Sequence, residues 1–251
     1  MTRDVLAVFA HPDDEVLCGA GTLALCASRG VRVHLVCATR GELGPIASPE
    51  LATHETLAAV REGELRASCA ALGITEPEFL DLPDAGVDWA AEDAGTLRVL
   101  TERIRELRPA AILTFGPDGL YGHADHVAIG ELTTQAREAA GVPTRLFYAV
   151  TTGDDVAVLL EGAKRAGVPD SLWSLGPQHF AVPKSEITCS VDVSAVLDQK
   201  LAALRCHRTQ LQADNVLAHL TPALARGFFV VEHFRCADKQ PGTPLSALGS
   251  D

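Results

Sequence analysis

The chain has 251 residues, 47% of them hydrophobic and 22% charged, a composition that can bury a substantial core and is unlike that of a disordered protein. Its formal net charge of -12 lacks the basic footprint that nucleic acid requires and disfavours anionic membrane surfaces. No apolar stretch reaches the roughly 18 residues of a membrane span, and the seven scattered cysteines contain no CxxC pair, which argues against a disulfide framework or a thiolate metal site.

Met1-Thr2-Arg3-Asp4 leads straight into the first apolar run, leaving no room for a secretory signal; with reduced core thiols, this points to a cytoplasmic protein. That run, Val5–Ala10, reads as a buried strand. His11-Pro12-Asp13-Asp14-Glu15 follows at once, an imidazole and three carboxylates that are costly to bury unless a metal or a reaction uses them. A helix is expected over Val16–Arg29. The acids would lie in its first turn, where carboxylates favour the dipole. That role suffices for Glu15 but does not explain His11. Gly19 and Gly21 fall inside the helix pattern with no third glycine at GxGxxG spacing, which argues against a dinucleotide site.

Further strands are expected at Val31–Ala38, Glu78–Leu82, Ala111–Phe115 and Leu146–Val150. Helices are expected over Leu51–Leu72, Ala91–Leu107, His126–Ala140 and Asp154–Ala166. Continuous apolar strands such as Ala111-Ile112-Leu113-Thr114-Phe115 suit a parallel sheet covered on both faces. Strand–helix alternation then predicts an α/β fold, a Rossmann-like three-layer sandwich with a mostly parallel sheet. After Gly167 the pattern changes. An alternating segment, Glu186–Val193, precedes a helix from Ser194, its expected N-cap, to about Gln212, and an apolar run, Phe228–Val231, comes near the end. The expected organisation is a metal-binding core over residues 1–166, a smaller C-terminal α/β extension over 167–240 that shapes the substrate site, and a flexible tail over 241–251.

A second polar cluster, Tyr121-Gly122-His123-Ala124-Asp125-His126, follows the strand that ends at Phe115. Two such clusters at the carboxyl ends of strands imply one composite site, where open α/β sheets bind ligands. His11 and Asp14 are spaced i, i+3, as are His123 and His126, so each pair can face one way. A set of His11, Asp14 and His126 would give zinc three protein ligands and an open position, as a catalytic site requires. Iron(II) or another divalent ion also suits these donors. Asp13 would remain as a carboxylate beside a water. His123 would serve as general acid or oxyanion stabiliser, with Asp125 holding its ring and favouring its protonated form. Of the other histidines, His207 stands out, because Lys200 and His207 can share a helix face.

His-Pro-Asp-Asp-Glu after the first strand, with His-x-Asp-His after a later one, resembles the zinc-dependent N-acetylglucosaminyl deacetylases of LmbE/PIG-L type. Thr39-Arg40-Gly41-Glu42-Leu43-Gly44, Val60-Arg61-Glu62-Gly63-Glu64-Leu65 and His207-x-x-Gln210 extend the resemblance over roughly residues 5–210. The resemblance implies His11, Asp14 and His126 as metal ligands and Asp13 as general base. It further implies that His123 assists the tetrahedral intermediate or leaving amine, tuned by Asp125, with Tyr121 near the oxyanion. Arg61, Glu42 and His207 are the implied substrate contacts. Ala124 departs from a common proline without removing a functional group.

The expected activity is therefore zinc-dependent removal of an N-acetyl group from an N-acetylglucosamine-type sugar conjugate, the small-molecule partner. The alternatives are an amidase acting on a thiol conjugate or another N-acyl metabolite, and a non-catalytic sugar- or metal-binding module. The sequence leaves the aglycone and the oligomeric state open, a homo-oligomer included.

Overall fold

The computed structural model describes residues 4–87 and 94–238. In chain order it forms β1 (Val5–Phe9), α1 (Asp14–Cys18), α2 (Ala20–Ser28), β2 (Val33–Cys37), α3 (Leu57–Leu72), β3 (Glu78–Phe79) and α4 (Ala94–Leu107). There follow β4 (Ala111–Phe115), α5 (Ala124–Ala140), β5 (Arg145–Val150), α6 (Gly153–Ala166), β6 (Cys189–Asp192), α7 (Leu197–Cys206) and β7 (Val231–Cys236). One sheet of seven strands runs in the order β3-β2-β1-β4-β5-β7-β6. Its first five strands are parallel, and β7 and β6 extend it antiparallel. Every residue of β1, β2 and β4 is buried, as their largely apolar runs require in a sheet flanked by helices on both faces, with His34 and Thr114 the polar exceptions.

β1 pairs with β2 on one side and with β4 on the other, Val5 opposite both Val33 and Ala111. The chain order reverses there, and the crevice beyond the carboxyl ends of β1 and β4 is where this sheet type places ligands. The late part of the chain closes over it. α7 packs against α2 and α3. The buried Lys200 ammonium of α7 lies 2.7 Å from Glu232 of β7, whose carboxylate accepts hydrogen bonds from the Gly21 and Thr22 amides at the start of α2. The positive end of α2 and the ammonium offset the desolvation of that carboxylate.

Several elements differ from expectation. The helix expected over Val16–Arg29 is two pieces broken at Gly19, where a Cβ would lie 2.5 Å from the Leu113 side chain. Close passage of the chain over β4 thus demands glycine there. The first residues of the helix expected over Ala91–Leu107, and the tail over 241–251, lie outside the described residues. The Ser194–Gln212 helix is α-helical only over Leu197–Cys206 and begins as a short 3-10 turn. Ser194 is not its cap: the Ser194 amide donates to the Asp192 carboxylate at 2.9 Å. Most of the Phe228–Val231 run precedes β7 as a turn. All seven cysteines are free, and burial pushes the Cys18 and Cys37 thiols well above the ordinary value. No helix among the described residues is long and apolar enough to cross a membrane.

Candidate metal centre

β1 delivers His11 at its carboxyl end, and the chain turns sharply at Asp13 (φ 112°, ψ -23°) into α1. For a non-glycine residue that backbone costs about 1–3 kcal/mol and persists only when its surroundings hold it. His11 and Asp14 are locked together within the turn: the His11 amide donates to Asp14 Oδ2 at 2.7 Å, and His11 Nδ1 lies 3.4 Å from the same oxygen. β4 delivers the second cluster. His123 caps α5, its Nδ1 accepting the Asp125 amide at 3.2 Å, and His126 follows on the first turn. The His126 ring stacks on Phe115 with centroids 3.9 Å apart.

One donor atom each from His11, Asp14 and His126 lies within 4.8 Å of the others, and all three residues are buried. His126 Nδ1 faces the Gly119 carbonyl at 3.2 Å, so that nitrogen carries the proton and donates. The buried Nε2 makes no hydrogen bond, although Asp14 Oδ1 lies only 3.2 Å away. Two acceptors at that separation repel unless a cation lies between them. Burial alone would lower the His11 pKa, yet the carboxylates of Asp125, Asp14 and Asp84 raise it well above the ordinary value. Asp14 is held well below its own range, its burial outweighed by His126 and His11. The donor set calls for positive charge, and it fits a divalent ion of nitrogen–oxygen preference.

Behind His11, Nε2 lies 3.1 Å from Asp125 Oδ2 and 3.3 Å from Asp84 Oδ1. Carboxylates only accept, so Nε2 keeps its hydrogen, and it is Nδ1, 3.4 Å from Asp14 Oδ2, that would give up a proton to a bound ion. The Asp125 carboxylate lies within 4.8 Å of the His123 ring as well, and it holds His11 and accepts the Ala85 and Val87 amides at 2.8 and 3.1 Å. Asp125→Asn is therefore expected to weaken divalent-ion affinity by about 10- to 100-fold, read by competition with a calibrated chelator. Undiminished affinity would remove Asp125 from the metal's support.

His123 also departs from expectation. Burial and the positive fields of His126 and His11 lower its pKa, with the Asp14 and Asp125 charges opposing, which favours the neutral ring. With Nδ1 accepting from a backbone amide, Nε2 carries the hydrogen and can donate to an oxyanion. The Tyr121 ring packs edge-on to His123 and His126, and burial raises its phenol far above the ordinary value. The Asp13 carboxylate is pushed up to about 6: burial raises it, the Arg61 guanidinium counters, and the Asp14 charge adds to the rise.

Of the three expected substrate contacts, Arg61 and His207 line the cavity over the cluster, and Glu42 is not among its lining residues. Arg61 is buried in α3, donating to the Gly41 carbonyl at 2.8 Å, to the Pro12 carbonyl and to Asp13 Oδ2 at 3.2 Å. A Cβ on Gly41 (φ +64°) would lie 2.2 Å from that guanidinium, so glycine makes room for it. Glu42 accepts the Asp84 amide at 2.9 Å and braces the turn that brings Asp84 to His11. His207 is buried against Glu15 at 2.6 Å. Asp84, Ser68 and Glu64 join this framework without having been expected. The cavity above the cluster has a volume of about 320 Å³. Asp13, Asp14, His11 and His123 line its floor, and Trp173 and Leu217 are among its apolar walls.

Residues 6–137 match the family described as PIG-L: GlcNAc-PI de-N-acetylase. A 1D-myo-inositol 2-acetamido-2-deoxy-alpha-D-glucopyranoside deacetylase from Acidothermus cellulolyticus is 34% identical over 258 residues, covering 93% of this chain and 88% of its own. Among solved structures, N,N'-diacetylchitobiose deacetylase from Pyrococcus horikoshii superposes with a TM-score of 0.62 at 23% identity, over 98% of this chain and 85% of that one. The 4-carboxy-2-hydroxymuconate hydratase GalB of Pseudomonas putida superposes with a TM-score of 0.65 at 20% identity, over 96% and 98%. A hydratase and a deacetylase thus share this fold, which by itself does not fix the chemistry.

Proposed function

The chain belongs to the PIG-L family of de-N-acetylases, and from that premise we propose that it hydrolyses the acetamide of an N-acetylglucosamine joined to inositol or a similar polyol. It is an amide hydrolase of the deacetylase class. The observation that carries the finer reading is the His11–Asp14–His126 donor set with the non-ligand Asp13 and His123 beside it. Binding alone needs neither of the latter two.

His11, Asp14 and His126 would hold the ion, and zinc suits them. When bound, such an ion supplies Lewis acidity to the acetyl carbonyl and to water. Asp13 takes the proton from the attacking water as it adds to the carbonyl carbon. His123 donates its Nε2 hydrogen to the developing oxyanion, and the Tyr121 hydroxyl is a second donor near it. The proton held on Asp13 then passes to the leaving amine, since a neutral His123 is a hydrogen-bond donor rather than a strong acid. Arg61 keeps Asp13 aimed at the water. The apolar walls of the cavity exclude bulk water and strengthen each of these interactions.

The pH profile follows from Asp13. The base works only when ionised, and burial places its pKa at about 6. The ionised fraction, and with it kcat/KM, rises as pH increases toward that value and levels off above it. A bound cation lowers the value, so the acid limb of the loaded protein is expected at or below about 6 and disappears in Asp13→Asn. A limb centred above 7 would assign it to another group. The substrate class is tested by comparing N-acetylglucosaminyl inositol with N-acyl thiol conjugates that lack the acetamido sugar. Faster amine release from the latter would favour the amidase alternative.

A further inference from the structure

Glu15 and His207 form a buried ion pair beside the site that the reaction as described does not use. We propose that they form a positioning pair that fixes the Asp13 backbone, and thereby aims its carboxylate at the reacting water. The proposal rests on the reading of Asp13 as the base.

The Asp13 turn receives no side-chain cap of the ordinary kind, and its left-handed backbone must be held by its neighbours. Its amide donates to Glu15 Oε2 at 3.0 Å. The other Glu15 oxygen accepts the Ser68 hydroxyl and His207 Nε2, each at 2.6 Å. Both oxygens are therefore committed, and at 1% exposure the carboxylate has no path to a ligand or substrate. A helix-start acid has no need of a buried imidazole from 192 residues away in the chain.

His207 is itself held. It ends α7, its amide bound to the Leu204 carbonyl and its own carbonyl accepting the Gln210 amide. The next residue but one, Thr209, gives its amide and hydroxyl to Glu64 at 2.8 and 2.6 Å. Glu64, Ser68 and Arg61 all stand on the buried face of α3. Asp13 is thus gripped from three directions: its amide by Glu15, the preceding carbonyl by Arg61 and its carboxylate by Arg61. Removing the His207 donor frees Glu15 to turn, and the grip on the amide loosens while the metal donors stay in place. A shift of about 1 Å in a reacting group costs up to about 100-fold in rate.

The test compares His207→Leu, His207→Gln and Glu15→Gln. In His207→Leu, kcat is expected to fall about 10- to 100-fold while KM and metal content stay near wild type, and the thermal midpoint falls because the Glu15 carboxylate is left buried without its partner. His207→Gln keeps an N–H for Glu15 and should recover most of that loss. Independently of turnover, exchange of the Asp13 amide hydrogen, followed by NMR in the metal-free protein, should be at least about tenfold faster in His207→Leu and Glu15→Gln than in wild type. The Leu113 amide, in the sheet, should be unchanged. The proposal is overturned if His207→Leu keeps wild-type kcat, if His207→Gln rescues nothing, or if Asp13 exchange stays slow. If Asp13→Asn retains full turnover, the base assignment fails, and the exchange measurement still decides whether the pair holds the turn.

Discussion

Asp13→Asn is expected to lower kcat by about 10²- to 10⁴-fold, the range contributed by a positioned general base. KM and metal content should stay close to wild type. Asparagine fills the same volume, and its carbonyl oxygen can still accept from Arg61, so the turn survives the change. What is lost is the only feature the amide cannot imitate, the capacity to accept and hold a proton. Asp13 stands outside the His11, Asp14 and His126 donor cluster, which is why binding of the ion should not follow the rate. The check is steady-state kinetics together with metal analysis of the same preparations. Unchanged turnover would remove Asp13 from the chemistry, and a parallel loss of metal would make it a ligand.

His126→Ala should have the second large effect, and by a different route. It removes the buried Nε2 that faces Asp14 Oδ1 at 3.2 Å and leaves two donors where three stood. Loss of a direct ligand is expected to exceed the about 10- to 100-fold penalty of disturbing its support, and activity should fall to the level of chelator-treated wild type. A thermal measurement separates this from misfolding. Chelation lowers the midpoint of any protein whose folded state alone binds the ion, so wild type should shift on adding chelator and His126→Ala should not. Equal shifts in both would mean that His126 is no ligand.

The strands that frame the site were legible because residues buried on both faces leave a largely apolar record, and the clusters at their ends stood out against it. The spacing of His11 and Asp14 was legible for the same reason: a strand end turning into a helix brings i and i+3 together. Nearness in sequence points Asp125 to His123, but its further contacts, to the Ala85 and Val87 amides and to His11, leave no local record. Asp84 was invisible. It reaches His11 only because β3 lies beside β2 and β2 beside β1, an order that no local pattern records. Arg61, Glu64 and Ser68 did leave a signal, a polar stripe at helical spacing on a helix whose other buried positions include Leu57, Leu65 and Leu72. Polar residues repeating on the face that must be buried call for partners, and here the partners are Gly41, Thr209 and Glu15.

Glu15 shows the same limit from the other side. The first-turn dipole accounts for an acid at that position, yet the structure buries it against Ser68 and His207, and burial of both partners lies outside any local reading. The hydratase that shares this fold adds a reason to rest the activity on the site and on the sequence relatives rather than on architecture.

The central claim, that this site hydrolyses an acetamido sugar with the help of one ion, is tested most directly by metal titration of chelated protein with N-acetylglucosaminyl inositol as substrate, following acetate and free amine together. The account predicts that one equivalent of zinc per chain restores turnover, with acetate and amine released in equal amounts. Failure of fully loaded protein to release acetate from this and related acetamido-sugar conjugates would contradict it, as would turnover that does not depend on the ion.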